Sequence, residues 1–402
     1  MTRVEDARPT RTTGGVAPLL ASTGISVTGD GAFLAAAPLL AASLTRNPLE
    51  VSSVTAAFYA PWLVAGLPAG ALADRWPRRA VMISADLTRA AVLSALALVI
   101  ATGHASLPLL ITAILLVGVA QCFFDSASQA VIPTLIERNK EALARTNGRY
   151  WAIDTVGRSL AGPPLGTATF AVNRLLPFAA DAFSFVASAL CISRLPRLPA
   201  ASKQPEPLTA AIRTGLQHLR STPELRVLSA TLATYNYAYN IAFATFVLYA
   251  TRTLHVADAG YGLLLATAAV GGILAGWRAA PLTRRLSYRQ VVAIACLAQG
   301  VVWFGIALLP NIFAAGVFLM LLGAASSLIS VAASSGRQAM TPDHLLGRVV
   351  SVFRFFGVGA AALGALTGGA IASAAGLRAP LWIAAIILGI AASVTWPWRR
   401  QR

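Results

Sequence analysis

Residues 70–79 read Gly70-Ala-Leu-Ala-Asp74-Arg75-Trp-Pro-Arg78-Arg79, and residues 276–285 read Gly276-Trp-Arg-Ala-Ala-Pro-Leu-Thr-Arg284-Arg285. Each stretch follows a long apolar run, opens on a glycine and closes on a basic pair at the same spacing. Glycine lets helices approach closely in a membrane, and arginines gather in the polar layer beside it. Two more segments recur at nearly the same separation. Gln129-Ala130 with Pro133 returns as Gln338-Ala339 with Pro342, and Gly157, Gly162 and Gly166 return as Gly359, Gly364 and Gly368. Three matches in one order imply a duplicated half. Parallel halves around an axis along the membrane normal are a transporter architecture, with the substrate site between the halves near the midplane.

Composition agrees. Of 402 residues, 56% are hydrophobic and 12% charged, against roughly a quarter charged in soluble domains. Apolar runs fall at about 16-44, 51-73, 80-102, 107-132, 149-171, 175-193, 226-250, 260-282, 289-309, 311-335, 349-375 and 379-398, each near the ~20 residues that a spanning helix needs. The fold class is therefore all-α integral membrane, with twelve spans in two six-helix pseudo-symmetric halves. The run from Val16 to about Leu44 is too long for a signal-peptide core and reads as a retained first span. Cys122, Cys191 and Cys296 lie in apolar stretches without paired spacing and read as small core residues, with no disulfide framework or metal site.

A net charge of +17 raises the question of nucleic acid, but such a binder carries its basic residues on a soluble face. Here the charge tracks topology. With the N-terminus inside, most of the 32 Lys and Arg residues fall in inner segments, and the outer loops hold Arg46, Arg174, Arg252 and Arg378. Basic residues mark cytoplasmic loops, so both termini are expected in the cytoplasm of a cell-membrane protein. The expected division is a tail at 1-15, a first half at 16-193, a central loop at 194-225, a second half at 226-398 and a tail at 399-402. Within the loop, Leu208, Ile212, Leu216 and Leu219 recur at helical spacing, with Arg213, His218 and Arg220 elsewhere on the wheel. That pattern predicts an amphipathic helix on the inner membrane surface.

On these residues the chain resembles the major facilitator superfamily, and more narrowly its drug-exporter and siderophore-exporter branch. Gly70, Asp74, Arg75, Arg78 and Arg79 match that family's signature between helices 2 and 3, with Pro77 in place of its second glycine. By resemblance, Asp74 latches against the start of helix 11 when the inner gate closes. Helix 5 carries Gly157-Arg-Ser-Leu-Ala-Gly162-Pro163-Pro164-Leu-Gly166-Thr167, similar to the exporters' antiport signature, with Thr167 in the place of its last glycine. The helix 4 arginine frequent in the family is missing from Leu115 to Phe124.

Ionisable residues inside a membrane are expensive and mark function. Asp30 sits near the middle of span 1 and Arg158 about ten residues into span 5, which makes them the leading proton-coupling pair. Asp154, four residues before Arg158 on the same helix face, competes for that guanidinium. Asp181 is a further candidate, while Asp86, Arg89 and Asp125 lie nearer span ends and rank lower. A carboxylate that alternates between a desolvated setting and one beside a cation can take and release a proton. Span 7 bears Tyr235, Asn236, Tyr239, Asn240 and Phe243, an aromatic wall with amide groups. By resemblance helices 1, 4, 7 and 10 line the central cavity, adding Gln121, Ser326 and Ser330. Gly357-Val-Gly359-Ala-Ala-Ala362 loosely matches a dinucleotide fingerprint, but no strand precedes it.

The reading is a secondary active transporter, not an enzyme. It exports a small amphipathic drug, macrolide or siderophore-like molecule in antiport with protons, with no cofactor, no nucleic acid and a monomer expected. A proton-symport importer is the alternative within transport, and a membrane sensor or membrane-embedded enzyme the alternative outside it.

Overall fold

The computed structural model describes residues 16–66, 68–69, 76–135, 140–196 and 208–396. The first half comprises α1 (Val16–Leu44), α2 (Pro48–Val64), α3 (Arg78–Ala101), α4 (Leu107–Leu135), α5 (Lys140–Thr155), a π turn (Val156–Ala161), α6 (Gly162–Val172) and α7 (Leu176–Ser193). After α8 (Leu208–Ser221), the second half comprises α9 (Pro223–Phe243), α10 (Phe246–Arg252), α11 (Asp258–Arg285), α12 (Tyr288–Leu308), α13 (Ile312–Met340), α14 (Asp343–Ala375) and α15 (Ala379–Thr395).

Among the described residues eight helices are individually long and apolar enough to cross a membrane. The other four spans are α2, the two broken helices α5–π–α6 and α9–α10, and the shorter α15. Local chemistry sets the turns at the end opposite the termini, called the hairpin end below. Asn47 caps α2 by accepting from Leu49 N at 3.0 Å. Asn311 caps α13 by accepting from Phe313 N and Ala314 N. Gly376, at φ 84°, ends α14 in a conformation that an L side chain resists.

Several helices overrun their expected bounds. The fifth span begins at Lys140 rather than 149, so Lys140, Arg145 and Arg149 are helical rather than in a loop. A helix satisfies its own backbone and can continue past the apolar layer with polar side chains. The proline of span 5 also does more than bend it. Pro163 has no N–H to give, and the preceding turn widens, with Gly162 N donating to Gly157 O five residues back.

In the first half α1 packs on α6 and α7, α3 on α4 and α7, and α2 on α4. In the second, α9 packs on α14 and α15, α11 on α13, and α12 on α13 and α15. Fully buried Phe178, Phe185, Phe246 and Trp303 sit in the largest core cluster, while Phe183, Val301, Phe313 and Leu363 are exposed. Apolar side chains on both sides of a helix suit a bilayer solvent. The duplication is legible in the packing. Gly162 and Gly166 abut the backbone of α1 at Thr28 and Ala32, as Gly364 and Gly368 abut that of α9 at Tyr237 and Ile241. Leu216 and Leu219 of α8 are half-buried and buried, and Arg213 and Arg220 are exposed. His218 Nε2 lies 3.3 Å from Met340 O. The side chains of Leu208 and Ile212 lie outside the described residues.

Candidate functional site

Two seams join the halves, α2 with α14 and α6 with α11. Both are tied at the hairpin end. Ser373 Oγ donates to Asn47 Oδ1 at 3.2 Å and accepts from Leu49 N at 3.3 Å. Arg252 Nη1 donates to Arg46 O at 3.1 Å. Thr167 Oγ1 donates to Ala259 O and accepts from Gly262 N, both at 3.2 Å. The threonine that departs from the glycine pattern therefore crosslinks the halves, and Gly262 lies against Pro163 O with no room for a side chain.

Between the seams lies a cavity of about 1340 Å³. Its lining runs from Pro38 and Pro163 near the hairpin end to Gln129, Trp151 and Gly276 toward the other end, and Trp151 is 58% exposed there. The glycine motif shapes one wall. Gly31 of α1 lies under the Arg158 carbonyl, and Gly166 lies on the Ala32 backbone. This close approach brings Asp30 and Arg158 together, with Arg158 Nη2 to Asp30 Oδ2 at 3.0 Å. Asp154 joins them rather than competing, at 3.3 Å from the same nitrogen. Side-chain exposures of 30% for Arg158, 20% for Asp154 and 8% for Asp30 put the cluster at the wall. Asp181 is not part of it. It is fully buried, accepts from Ser184 Oγ at 2.9 Å and packs against Gly29.

The residues ranked lower form a second, deeper network. Arg89 is fully buried, donates to Asp86 and to Gln121 Oε1, and lies between the rings of Phe124 and Phe185 at 4.5 and 4.0 Å. Ser188 Oγ donates to Asp86 Oδ2 at 2.7 Å. Gln121 Nε2 then donates to Asp125 Oδ1 at 2.9 Å, on the cavity wall. Helix 3 thus reaches the stretch of α4 that has no arginine of its own. The i, i+3 spacing of Asp86 and Arg89 was the available signal, but burial was not legible.

Of the span 7 candidates, Tyr239 and Phe243 line the cavity, stacked at 5.2 Å. Tyr235, Asn236 and Asn240 stand behind the wall. Tyr235 donates to Ser326 Oγ at 3.2 Å, to which Gln299 also donates at 2.9 Å. The two asparagine amides donate to carbonyls of their own helix, Leu232 O and Asn236 O. Asn236 turns toward Gly357 of α14, and Asn240 lies behind Tyr59 of α2, which covers it from the cavity. Gln121, Ser326 and Ser330 line the cavity as expected. Sequence reasoning missed Tyr59 and Trp62 on α2, and Arg354 on α14, whose guanidinium lies 4.1 Å over the Trp62 ring. Of the signature after span 2, Gly70, Asp74 and Arg75 lie outside the described residues, and Arg79 Nη1 donates to Leu195 O at 2.9 Å.

Known proteins align with about nine-tenths or more of this chain. The family model described as transmembrane secretion effector matches residues 16–400. The multidrug efflux pump Tap of Mycolicibacterium fortuitum is 29% identical over 380 residues, which cover 90% of this chain and 91% of that one. Tap of Mycobacterium tuberculosis H37Rv is 28% identical over 372 residues, 90% and 88% of the two chains. Among solved structures, the nucleoside transporter NupG superposes with a TM-score of 0.80 at 12% identity, over 94% of this chain and 98% of that one. A bacterial homolog of the human lysosomal transporter Spinster, in an inward-facing and unoccupied conformation, gives 0.74 at 15% identity over 97% of each. The chain, with its two six-helix halves tied at one end around a charged central cavity, belongs to the transmembrane secretion effector family of the major facilitator superfamily, multi-pass membrane transporters rather than enzymes.

Proposed function

We propose that this protein exports a small amphipathic, drug-like molecule across the cell membrane in exchange for protons. The observation that carries the reading is the cluster of Asp30, Arg158 and Asp154 on the cavity wall. One guanidinium holding two carboxylates is a site that can change its charge by one proton. When Asp30 is protonated, Arg158 keeps Asp154 as its counter-ion, so no buried charge is left unpaired, which would be costly. Relatives named as multidrug efflux pumps along nine-tenths of their length support export. With the basic loops in the cytoplasm, the cavity opens inward, the seams at the hairpin end seal the outside, and rocking of the halves exchanges the two.

The test is flux of rhodamine 6G in proteoliposomes under an imposed proton gradient. Wild type moves the dye against the proton flow, and collapse of the gradient stops it. Asp30→Asn lowers gradient-driven flux by at least about tenfold while dye binding stays measurable, because the amide has no proton to exchange but leaves the rest of the cavity in place. Dye moving with the protons would make the protein a symporter. Normal flux in Asp30→Asn would remove that residue as carrier.

A further inference from the structure

Two further charged side chains line the cavity beside the Asp30–Arg158–Asp154 cluster. Asp125, on α4 of the first half, is half-buried and lines the wall, with Gln121 Nε2 at 2.9 Å on Oδ1. Arg354, on α14 of the second half, also lines the cavity and stacks on Trp62 at 4.1 Å. Asp125 lies within electrostatic reach of Arg158 and Arg89, but among the described residues neither Asp125 nor Arg354 has an oppositely charged side chain within ion-pair distance. Asp125 lies about ten residues before the end of α4 and Arg354 about eleven after the start of α14, which puts them at similar depth along the two helices.

We infer that the cavity selects zwitterionic amphiphiles, with a cationic nitrogen of the substrate at Asp125 and an anionic group at Arg354. Stacking on Trp62 occupies the face of the guanidinium and leaves its in-plane N–H donors for an anion. Arg89 holds the Gln121 carbonyl, so the Gln121 amide turns its N–H toward Asp125 and fixes the carboxylate on the wall. A lone cation would satisfy Asp125 and leave Arg354 unmatched, and a lone anion would do the reverse. A substrate bearing both charges compensates both in a cavity where the low dielectric magnifies each mismatch. Aromatic rings at Tyr239 and Phe243, nearer the hairpin end of the same cavity, offer apolar surface to the body of the substrate.

This inference rests on the export reading, through the same cavity. Equilibrium binding tests the charge preference and gradient-driven flux tests export, so the two failures are distinguishable. The probes are three dyes built on one xanthene ring: zwitterionic rhodamine B, cationic rhodamine 6G and anionic fluorescein. Their anisotropy is followed on titration with the full chain in nanodiscs at neutral pH. Rhodamine B is expected to bind at least about fivefold tighter than either of the others, a difference of about 1 kcal/mol. Arg354→Gln brings the ratio of rhodamine B to rhodamine 6G affinity to about one, and Asp125→Asn turns the preference between rhodamine 6G and fluorescein toward fluorescein. A variant that keeps the wild-type melting temperature is used for the comparison, because a general loss of fold would weaken all three dyes together. Equal or tighter binding of either of the other two dyes by wild type, no binding by any dye, or unchanged ratios in either folded variant overturns the inference.

Discussion

Arg89 shows how much one side chain can hold in place. Its guanidinium is enclosed by two phenyl rings, pairs with Asp86 and orients the amide of Gln121. Removing one member of a buried ion pair costs about 3 kcal/mol or more, because the other charge remains without compensation. Arg89→Met is therefore expected to lower the apparent Tm in detergent clearly, and the double change Asp86→Asn/Arg89→Gln to recover at least half of that loss. Differential scanning fluorimetry on the three proteins checks it. Equal losses in the single and double variants would mean that the pair is not the stabilising unit. The sequence contains the i, i+3 pair in plain sight. Only the packed helices show that Phe124 and Phe185 exclude water from it.

At the scale of elements, the contact between α1 and α6 decides where the proton-coupling groups stand. Gly166 lies so close to the Ala32 backbone that a Cβ there would collide with it. Backbone cannot rotate away as a side-chain tip can, so Gly166→Ala should force the helices apart and cost about 1–3 kcal/mol. It should also cut transport, because α1 carries Asp30 and the π turn carries Arg158. Gly148, on α5, has open space around it, and Gly148→Ala should gain up to about 1 kcal/mol from helix propensity with transport preserved. Thermal melts and dye flux on the two variants test the contrast, and equal behaviour would remove the packing argument. The glycine spacing predicted a close interface. That the partner is α1 in one direction and α11, through Gly262 and Thr167, in the other was not readable from spacing.

For the whole molecule, orientation is the first thing to measure. Basic residues concentrate in the turns at the end that carries the termini, so reporter fusions at Lys203 and at the C-terminus should report cytoplasm. Fusions near His104 and Asn311 should report the outside. An external signal at Lys203 would reverse the direction of transport argued above. The sequence by itself determined the twelve spans, the duplicated halves and the membrane class, because hydropathy and loop charge act on each helix separately and are local along the chain. It also located Asp30, Arg158 and the glycine motif, since a charge or a run of glycines inside an apolar span stands out without a partner in view. It did not decide that Asp154 shares Arg158, that Asp181 is buried behind the wall, or that Asn236 and Asn240 stand behind the cavity lining. Successive residues lie about 100° apart around a helix, so a modest rotation exchanges a wall position for one behind it. That rotation is set by the packing of each helix against its neighbours, which only the tertiary structure decides.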